Sequence, residues 1–425
     1  GASALAATGR GAWRRRQSIF ISAGQQQRRA IAGALAMEPR CIAFDEAMHR
    51  DLARLFASAR QSDESKAIIS ERHCSYYREL LSAADDLYQQ GGKSIQAALA
   101  LFDIEYANIA LGYSWAAKNA GSNPPAAQLC MRYPDAGAHV LYLRLNPMQR
   151  ISWLKAALVS AEDLKDRVME SVHLGNLGLA YAALGDSRKA IEYYEQALEI
   201  ARENGERRNE SSWLGNLGVE YKNLGETRKA IEYHKQALEI SQEIGDRRGE
   251  ESNLGNLGCA YAALSYARKA IVYYEQALEI AQEIGDLRGG EIHLGNLGLA
   301  YADLGDARKA IEYYEQALAI DRDISDRRGE GADLGNLGSA YYTLGETSKA
   351  KNYYQKQFEI TRGIGDKRGE GFALWGLAIC YEKMDDPEKA INNAKEALKI
   401  FEQIESPSAS TMRELISKWQ NEEET

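Results

Sequence analysis

Proline is missing from the middle of this chain: none of its seven residues falls between Pro147 and Pro387, so nothing there forces a helix to break. No run of 18 apolar residues occurs, and no segment is expected to span a membrane. Cysteine is scarce and odd in number. The five residues (Cys41, Cys74, Cys130, Cys259, Cys380) show neither a disulfide framework nor metal-ligand spacing, which points to a reducing compartment and a cytoplasmic location. The six histidines (His49, His73, His139, His173, His234, His293) form no H-x-x-x-H pair and no His/Cys cluster, so they are read as packing or surface residues and no metal ion is expected. No Ser-His-Asp arrangement stands out. A basic excess is also lacking: the net charge is −9, which argues against nucleic acid as the main partner.

What the chain does have is a repeat. Leu174-Gly175-Asn176-Leu177-Gly178-Leu179-Ala180-Tyr181 returns every 40 residues, at Leu214, Leu254, Leu294 and Leu334, with a weaker copy from Leu374 to Tyr381. Each copy leads into a second segment of the type Lys189-Ala190-Ile191-Glu192-Tyr193-Tyr194-Glu195-Gln196-Ala197-Leu198. A fixed period of this length marks a stacked repeat protein. Leu174, Leu177, Tyr181 and Leu184 share one helical stripe, and so do Ala190, Ile191, Tyr194, Ala197 and Leu198, so each repeat is expected to be two helices. Gly185 suits a left-handed end to the first helix, and Asp246, with Asp286, Asp326 and Asp366 at the same place, suits the N-cap of the next.

At Leu174, Leu177-Gly178, Tyr181, Ala190, Tyr194 and Ala197 the chain resembles the tetratricopeptide repeat, in the 40-residue form of kinesin light chain and of spindle-orienting adaptors. The family's usual proline near the repeat end is absent. The resemblance implies an all-α, right-handed superhelical solenoid that binds a peptide segment of a partner protein in its concave groove. Residues 171–370 are read as five repeats, 131–170 as a degenerate first repeat and 371–405 as a degenerate last one. A capping helix and acidic tail (406–425) follow, the helix starting near a Thr411-x-x-Glu414 box with Leu415, Ile416 and Trp419 as its covering stripe. Residues 49–130 read as irregular helices. From His73 to about Asp166 they are similar to the helices that precede such repeats in large bacterial signal-transduction ATPases.

The apolar stripes leave Gly175 and Asn176 unexplained, and the pair recurs as Gly215-Asn216, Gly255-Asn256, Gly295-Asn296 and Gly335-Asn336. In the family these positions line the groove. A carboxamide offers two donors and an acceptor, so such a ladder can hold an extended peptide backbone, with the glycine admitting a close approach. Specificity is then expected from the registers that vary, Val172/Ser212/Ser252/Ile292/Ala332/Phe372 and Leu179/Val219/Cys259/Leu299/Ser339/Ile379. Neither register holds Lys or Arg, so capture of a C-terminal carboxylate is not expected. The Arg-Arg-Gly-Glu turns read as solvated connections. The competing expectation for the glycine and asparagine is that they serve packing between neighbouring repeats.

Residues 1–48 carry a second resemblance. Ser22-Ala23-Gly24-Gln25, a helical stretch, then Cys41-Ile42-Ala43-Phe44-Asp45-Glu46 resemble the signature-to-Walker-B part of an ATP-binding-cassette ATPase. The resemblance gives Ser22, Gly24 and Gln25 to the γ-phosphate, Asp45 to Mg²⁺ and Glu46 to the attacking water. No phosphate-cradling G-x-x-x-x-G-K-[ST] accompanies them. The near match Gly91-Gly92-Lys93-Ser94 has Leu87 where the first glycine belongs and follows a helical stretch. The segment is read as a remnant or a fusion, with ATP and Mg²⁺ bound only if another chain completes the site. Its eight arginines against three acids within the first 50 residues, and the start at Gly1, fit a fragment better than a transit peptide. The expectation is therefore a non-enzymatic adaptor. An ATPase component, either a cassette fragment or the repeat-built sensor arm of a regulatory ATPase, is the alternative.

Overall fold

The computed structural model describes residues 63–423, and among these every regular element is helical. The cassette-like residues Ser22, Gly24, Gln25, Asp45 and Glu46 lie outside the described residues. The chain divides into two units, residues 1–209 and 210–425.

In the first unit, α1 (Asp63–Gln89) and α2 (Lys93–Asn119) pack along each other, so the Gly91–Gly92 turn joins two helices and follows no strand. Two short helices follow, α3 (Pro124–Arg132) and α4 (Ala138–Arg144), and then the longer α5 (Pro147–Leu164). Their shared core is aromatic. Tyr113 stacks on Trp153 at 4.0 Å and donates its hydroxyl to the Trp153 carbonyl at 3.0 Å, while the Tyr133 hydroxyl donates to Ile109 O at 3.1 Å. Buried hydroxyls in an apolar core need such partners. Asp85 of α1 accepts the backbone N–H groups of His139 and Val140, each at 2.9 Å, and so satisfies the first turn of α4 from another helix. The unit closes with one helix pair, α6 (Arg167–Ala183) and α7 (Ser187–Asn204).

The second unit is a stack of helix pairs: α8 (Arg207–Asn223) with α9 (Thr227–Glu243), α10 (Arg247–Ala263) with α11 (Ala267–Ile284), and α12 (Leu287–Asp303) with α13 (Ala307–Ile324). Then come α14 (Arg327–Thr343) with α15 (Thr347–Ile364), α16 (Lys367–Lys383) with α17 (Pro387–Gln403), and a closing α18 (Ser408–Glu423). Each boundary is written locally. Gly285 ends α11 at φ 70° and Asp286 accepts the Gly289 N–H at 2.9 Å to begin α12; Asp246, Asp326 and Asp366 do the same for Gly249, Gly329 and Gly369. Ser325 takes the left-handed position at φ 60° where Gly205, Gly245, Gly285 and Gly365 stand in the other repeats.

Between the helices Leu257, Leu297 and Leu337 are fully buried, each contributing about 1.5–3 kcal/mol by leaving water. The second glycine of each Leu-Gly-Asn-Leu-Gly motif is a packing device. A Cβ on Gly258 or Gly298 would strike the buried ring of Tyr274 or Tyr314, so the ring lies directly on the helix backbone. Tyrosines also pair within each repeat: Tyr261 with Tyr273, Tyr301 with Tyr313 and Tyr341 with Tyr353 stack at 5.3–5.4 Å, each capped by a lysine (Lys269, Lys309, Lys349) within 5.3 Å of the first ring.

Two expectations need correcting. Leu184 does not join the buried stripe; it is exposed, because α6 ends at Ala183 and the stripe runs out one residue early. The last helix starts at Ser408, not at Thr411, since Ser406 Oγ accepts the Ser408 N–H and turns the chain sooner. Ile416 and Trp419 nonetheless cover the end of the stack, joined by Met412.

Candidate functional site

In the second unit, Asn256 and Asn296 line one groove of about 340 Å³ between α10 and α12. The helix register explains it. Ser252, Asn256 and Cys259 of α10 lie at i, i+4, i+7, and Ile292 and Asn296 repeat the pattern on α12, so one face of each first helix contributes to the same wall. Asn336 lines a second groove of about 510 Å³ with Ala332, Gly335, Phe372, Trp375 and Ile379. Asn216 is half-buried at the same register of α8. In the first unit Asn176 and Leu179 border an apolar groove of about 380 Å³ with Tyr142, Trp153 and Leu154, where the Arg150 guanidinium sits 4.3 Å over the Tyr142 ring.

The asparagines are not equivalent. Asn296 reaches Cys259 Sγ at 4.0 Å and Asn336 donates toward the Asp333 carboxylate, so both also make contacts inside the protein. The glycines differ from expectation. Gly255 and Gly335 do line the grooves, yet the Cβ they lack would meet the protein's own side chains, 2.6 Å from His293 Cε1 and 2.5 Å from Gln357 Nε2. The room they make is filled from within. Gly175 is buried; Gly215 and Gly295 are half-buried, with Asn253 Oδ1 and Asp333 Oδ1 as the nearest atoms.

Residues that belong to no sequence motif complete these walls. His293 Nε2 and Glu251 Oε1 meet at 2.5 Å on the floor of the first groove, both almost wholly buried. Exposed Arg288 borders that groove, and Arg328 and Arg368 border the second. Each arginine precedes a variable groove residue by four positions (Ile292, Ala332, Phe372), which puts it on the same helical face. That spacing was the available signal. Cations therefore border the grooves, carried by exposed arginines of the turns.

Behind the groove face lies a cluster of acids that no motif announced: Glu291 on α12, Asp321 on α13 and Asp333 on α14, with one carboxyl oxygen of each within 4.8 Å of the others. Burial, reinforced by the neighbouring carboxylates, pushes Asp321 up to about 7 and Asp333 up to about 8, and raises Glu291. Burial acts the other way on His234, holding its imidazole down at about 4.

The family profile described as tetratricopeptide repeat matches residues 138–403 in six overlapping stretches. No curated protein matches the chain. Among solved structures, a signal transduction ATPase with numerous domains carrying a tetratricopeptide repeat sensor, PH0952 from Pyrococcus horikoshii, is 17% identical. It aligns over 92% of this chain and 68% of its own, at a TM-score of 0.57. Aspartyl phosphate phosphatase F from Bacillus subtilis is 15% identical over 85% of this chain and 89% of its own, at 0.52. A kinesin light chain of Podosopora anserina with nearly identical repeats is 23% identical over 46% of this chain and 94% of its own, at 0.39, too low to bear on the fold. At these identities the first two are likenesses of fold alone. Among the described residues no helix is long and apolar enough to cross a membrane.

Proposed function

We propose, on the premise that this chain belongs to the tetratricopeptide repeat family, that it is a non-enzymatic adaptor holding a peptide segment of a partner protein along the first helices of its repeats. One observation carries the reading: Asn256 and Asn296 share a groove with Ser252, Ile292 and Cys259, residues from both varying registers. Half-buried amides hold a peptide backbone whatever its sequence, while the varying neighbours choose among side chains. Arg288 at the border favours a segment that carries carboxylates.

The test begins by selecting binders from a random-peptide display library with the full chain, then measuring affinity by fluorescence anisotropy. Asn256→Ala is expected to weaken a selected peptide several-fold, the loss of a hydrogen bond worth about 0.5–1.5 kcal/mol, with the melting temperature unchanged. Melting lowered at intact affinity would hand the amide to repeat packing and remove the groove reading.

A second reading is supported by the fold likeness to the ATPase with a repeat sensor, which spans most of this chain. The chain would then act as the sensor arm of a regulatory ATPase. Micromolar ATP binding by the full chain, lost in Glu46→Gln, would favour an ATPase component over the free-standing adaptor.

A further inference from the structure

Around α12, Glu291, Asp321 and Asp333 meet in space, and the two aspartates depart from the preceding period. Glu251, Ala281 and His293 hold these registers or their surroundings one period earlier, and there His293 meets the Glu251 carboxylate at 2.5 Å. Forty residues after Glu251, Ala281 and His293 stand Glu291, Asp321 and Asp333, so a single acid beside a methyl group and an imidazole has become three acids. Asp321 is 0% exposed and Asp333 3%. Neither Asp321 oxygen, nor Asp333 Oδ2, has a hydrogen-bond partner among the described residues. The arginines nearby are engaged: Arg322 Nε donates to Glu330 at 2.9 Å and Arg327 pairs with the same carboxylate. Gly329 lets the Asp321 carboxylate lie against the start of α14, since an added Cβ would come within 2.6 Å of Asp321 Oδ2.

Buried carboxyls without donors are costly unless protons or a cation neutralise them. We propose that Glu291, Asp321 and Asp333 are the protein ligands of an oxygen-preferring divalent cation, with Ca²⁺ the best fit, which ties α12, α13 and α14 together. The donor set is all carboxylate, with no thiolate or free imidazole to favour zinc. Geometry favours one of the hard cations. The three oxygens lie within 4.8 Å of one another, close enough to share one ion, and Ca²⁺ accepts several protein carboxylates in a flexible shell with bonds of about 2.3–2.6 Å. Mg²⁺ demands near-ideal octahedral geometry and keeps most of its waters, which suits a three-carboxylate site less well. Glu291 is half-buried and marks the solvent side, where waters complete the shell. Because Asp333 also receives the Asn336 amide, the ion would fix one groove asparagine through its ligand.

The full chain, treated with chelator and dialysed, is titrated with CaCl₂ by calorimetry and melted with CaCl₂, MgCl₂ or EDTA. One Ca²⁺ per chain is expected, with a melting rise of roughly 5–10 °C at about 100-fold excess over Kd and a smaller rise with Mg²⁺. The variants import residues that sister repeats already carry at these registers. Asp321→Ala and Asp333→Asn should abolish the Ca²⁺ response while melting in EDTA no lower than the parent, and Glu291→Ser should weaken Ca²⁺ at least ten-fold. A parent chain whose melting ignores all of these cations would show that shared protons alone neutralise the cluster, and would overturn the proposal. An undiminished Ca²⁺ response in Asp321→Ala would place the ion elsewhere on the acidic surface and would overturn it equally. Should one variant fail to fold, the parent titration and the other variant decide.

Discussion

Two glycines on one helix, three residues apart, should respond oppositely to the same added methyl group. Gly295→Ala and Gly298→Ala both lie inside α12, and both remove a glycine from a helix interior. That change alone is worth about 0.5–1 kcal/mol in favour of alanine, through lower unfolded-chain entropy and better helix propensity. At Gly295 the new Cβ meets nothing nearer than Asp333 Oδ1 at 3.9 Å, an ordinary contact, so the gain should appear in full. At Gly298 the Cβ would sit 2.6 Å from Tyr314 Cδ1 and closer still to Cε1. Tyr314 is buried between helices and its ring cannot swing away, so either the ring or α12 must move. Overpacking of this kind costs about 1–3 kcal/mol. The helix contribution cancels between the two variants, and their difference isolates the overpacking cost. Thermal melts followed by circular dichroism should separate them by at least about 2–4 °C, Gly295→Ala above the parent and Gly298→Ala below it. Equal melting of the two, or Gly298→Ala the more stable, would refute the claim that the tyrosine ring rests on the helix backbone.

Leu257→Ala removes a fully buried side chain and should cost about 2–5 kcal/mol in urea unfolding, leaving the affinity of a groove-bound peptide unchanged at temperatures where the variant is folded. His234 stands where the other repeats carry Tyr194, Tyr274, Tyr314 and Tyr354. Its folded value of about 4 lies below the usual 6.5, so its stabilising contribution is present above pH 6.5 and is lost as pH falls toward 4. At pH 5 the loss is about 2 kcal/mol, since each pH unit inside that window costs about 1.4 kcal/mol. His234→Tyr should therefore melt higher than the parent by a margin that widens from pH 7 to pH 5; a margin independent of pH would contradict a neutral buried imidazole.

The all-helical repeat was legible because everything that makes it is local. The stripe of Leu254, Leu257 and Tyr261 spans two turns of one helix, Asp286 caps a helix three residues away, and Gly285 turns the chain on the spot. None of these depends on a distant residue. Helix ends were less legible, because several local signals compete there: Leu184 lost its turn to the helix stop, and Ser406 began α18 before the Thr411 box could.

The site was legible by register and no further. Spacing alone placed Asn256 and Ser252 on one helix face, and the same i, i+4 rule would have brought in Arg288 beside Ile292. What a face looks at is decided by the neighbouring helices. Gly255 and Gly335 are near-identical in sequence context, yet one makes room for His293 and the other for Gln357, from different elements. Glu291, Asp321 and Asp333 are separated by 30 and 12 residues and read in sequence as ordinary variation between repeats. Only stacking α12, α13 and α14 puts their carboxyls together and leaves Asp321 and Asp333 buried with oxygens that find no hydrogen-bond donor. Helices and caps follow from hydrogen bonds and spacings within a few residues, so the chain's own order determines them. Burial and the meeting of charges are properties of the packed interior, and tertiary structure alone decides those.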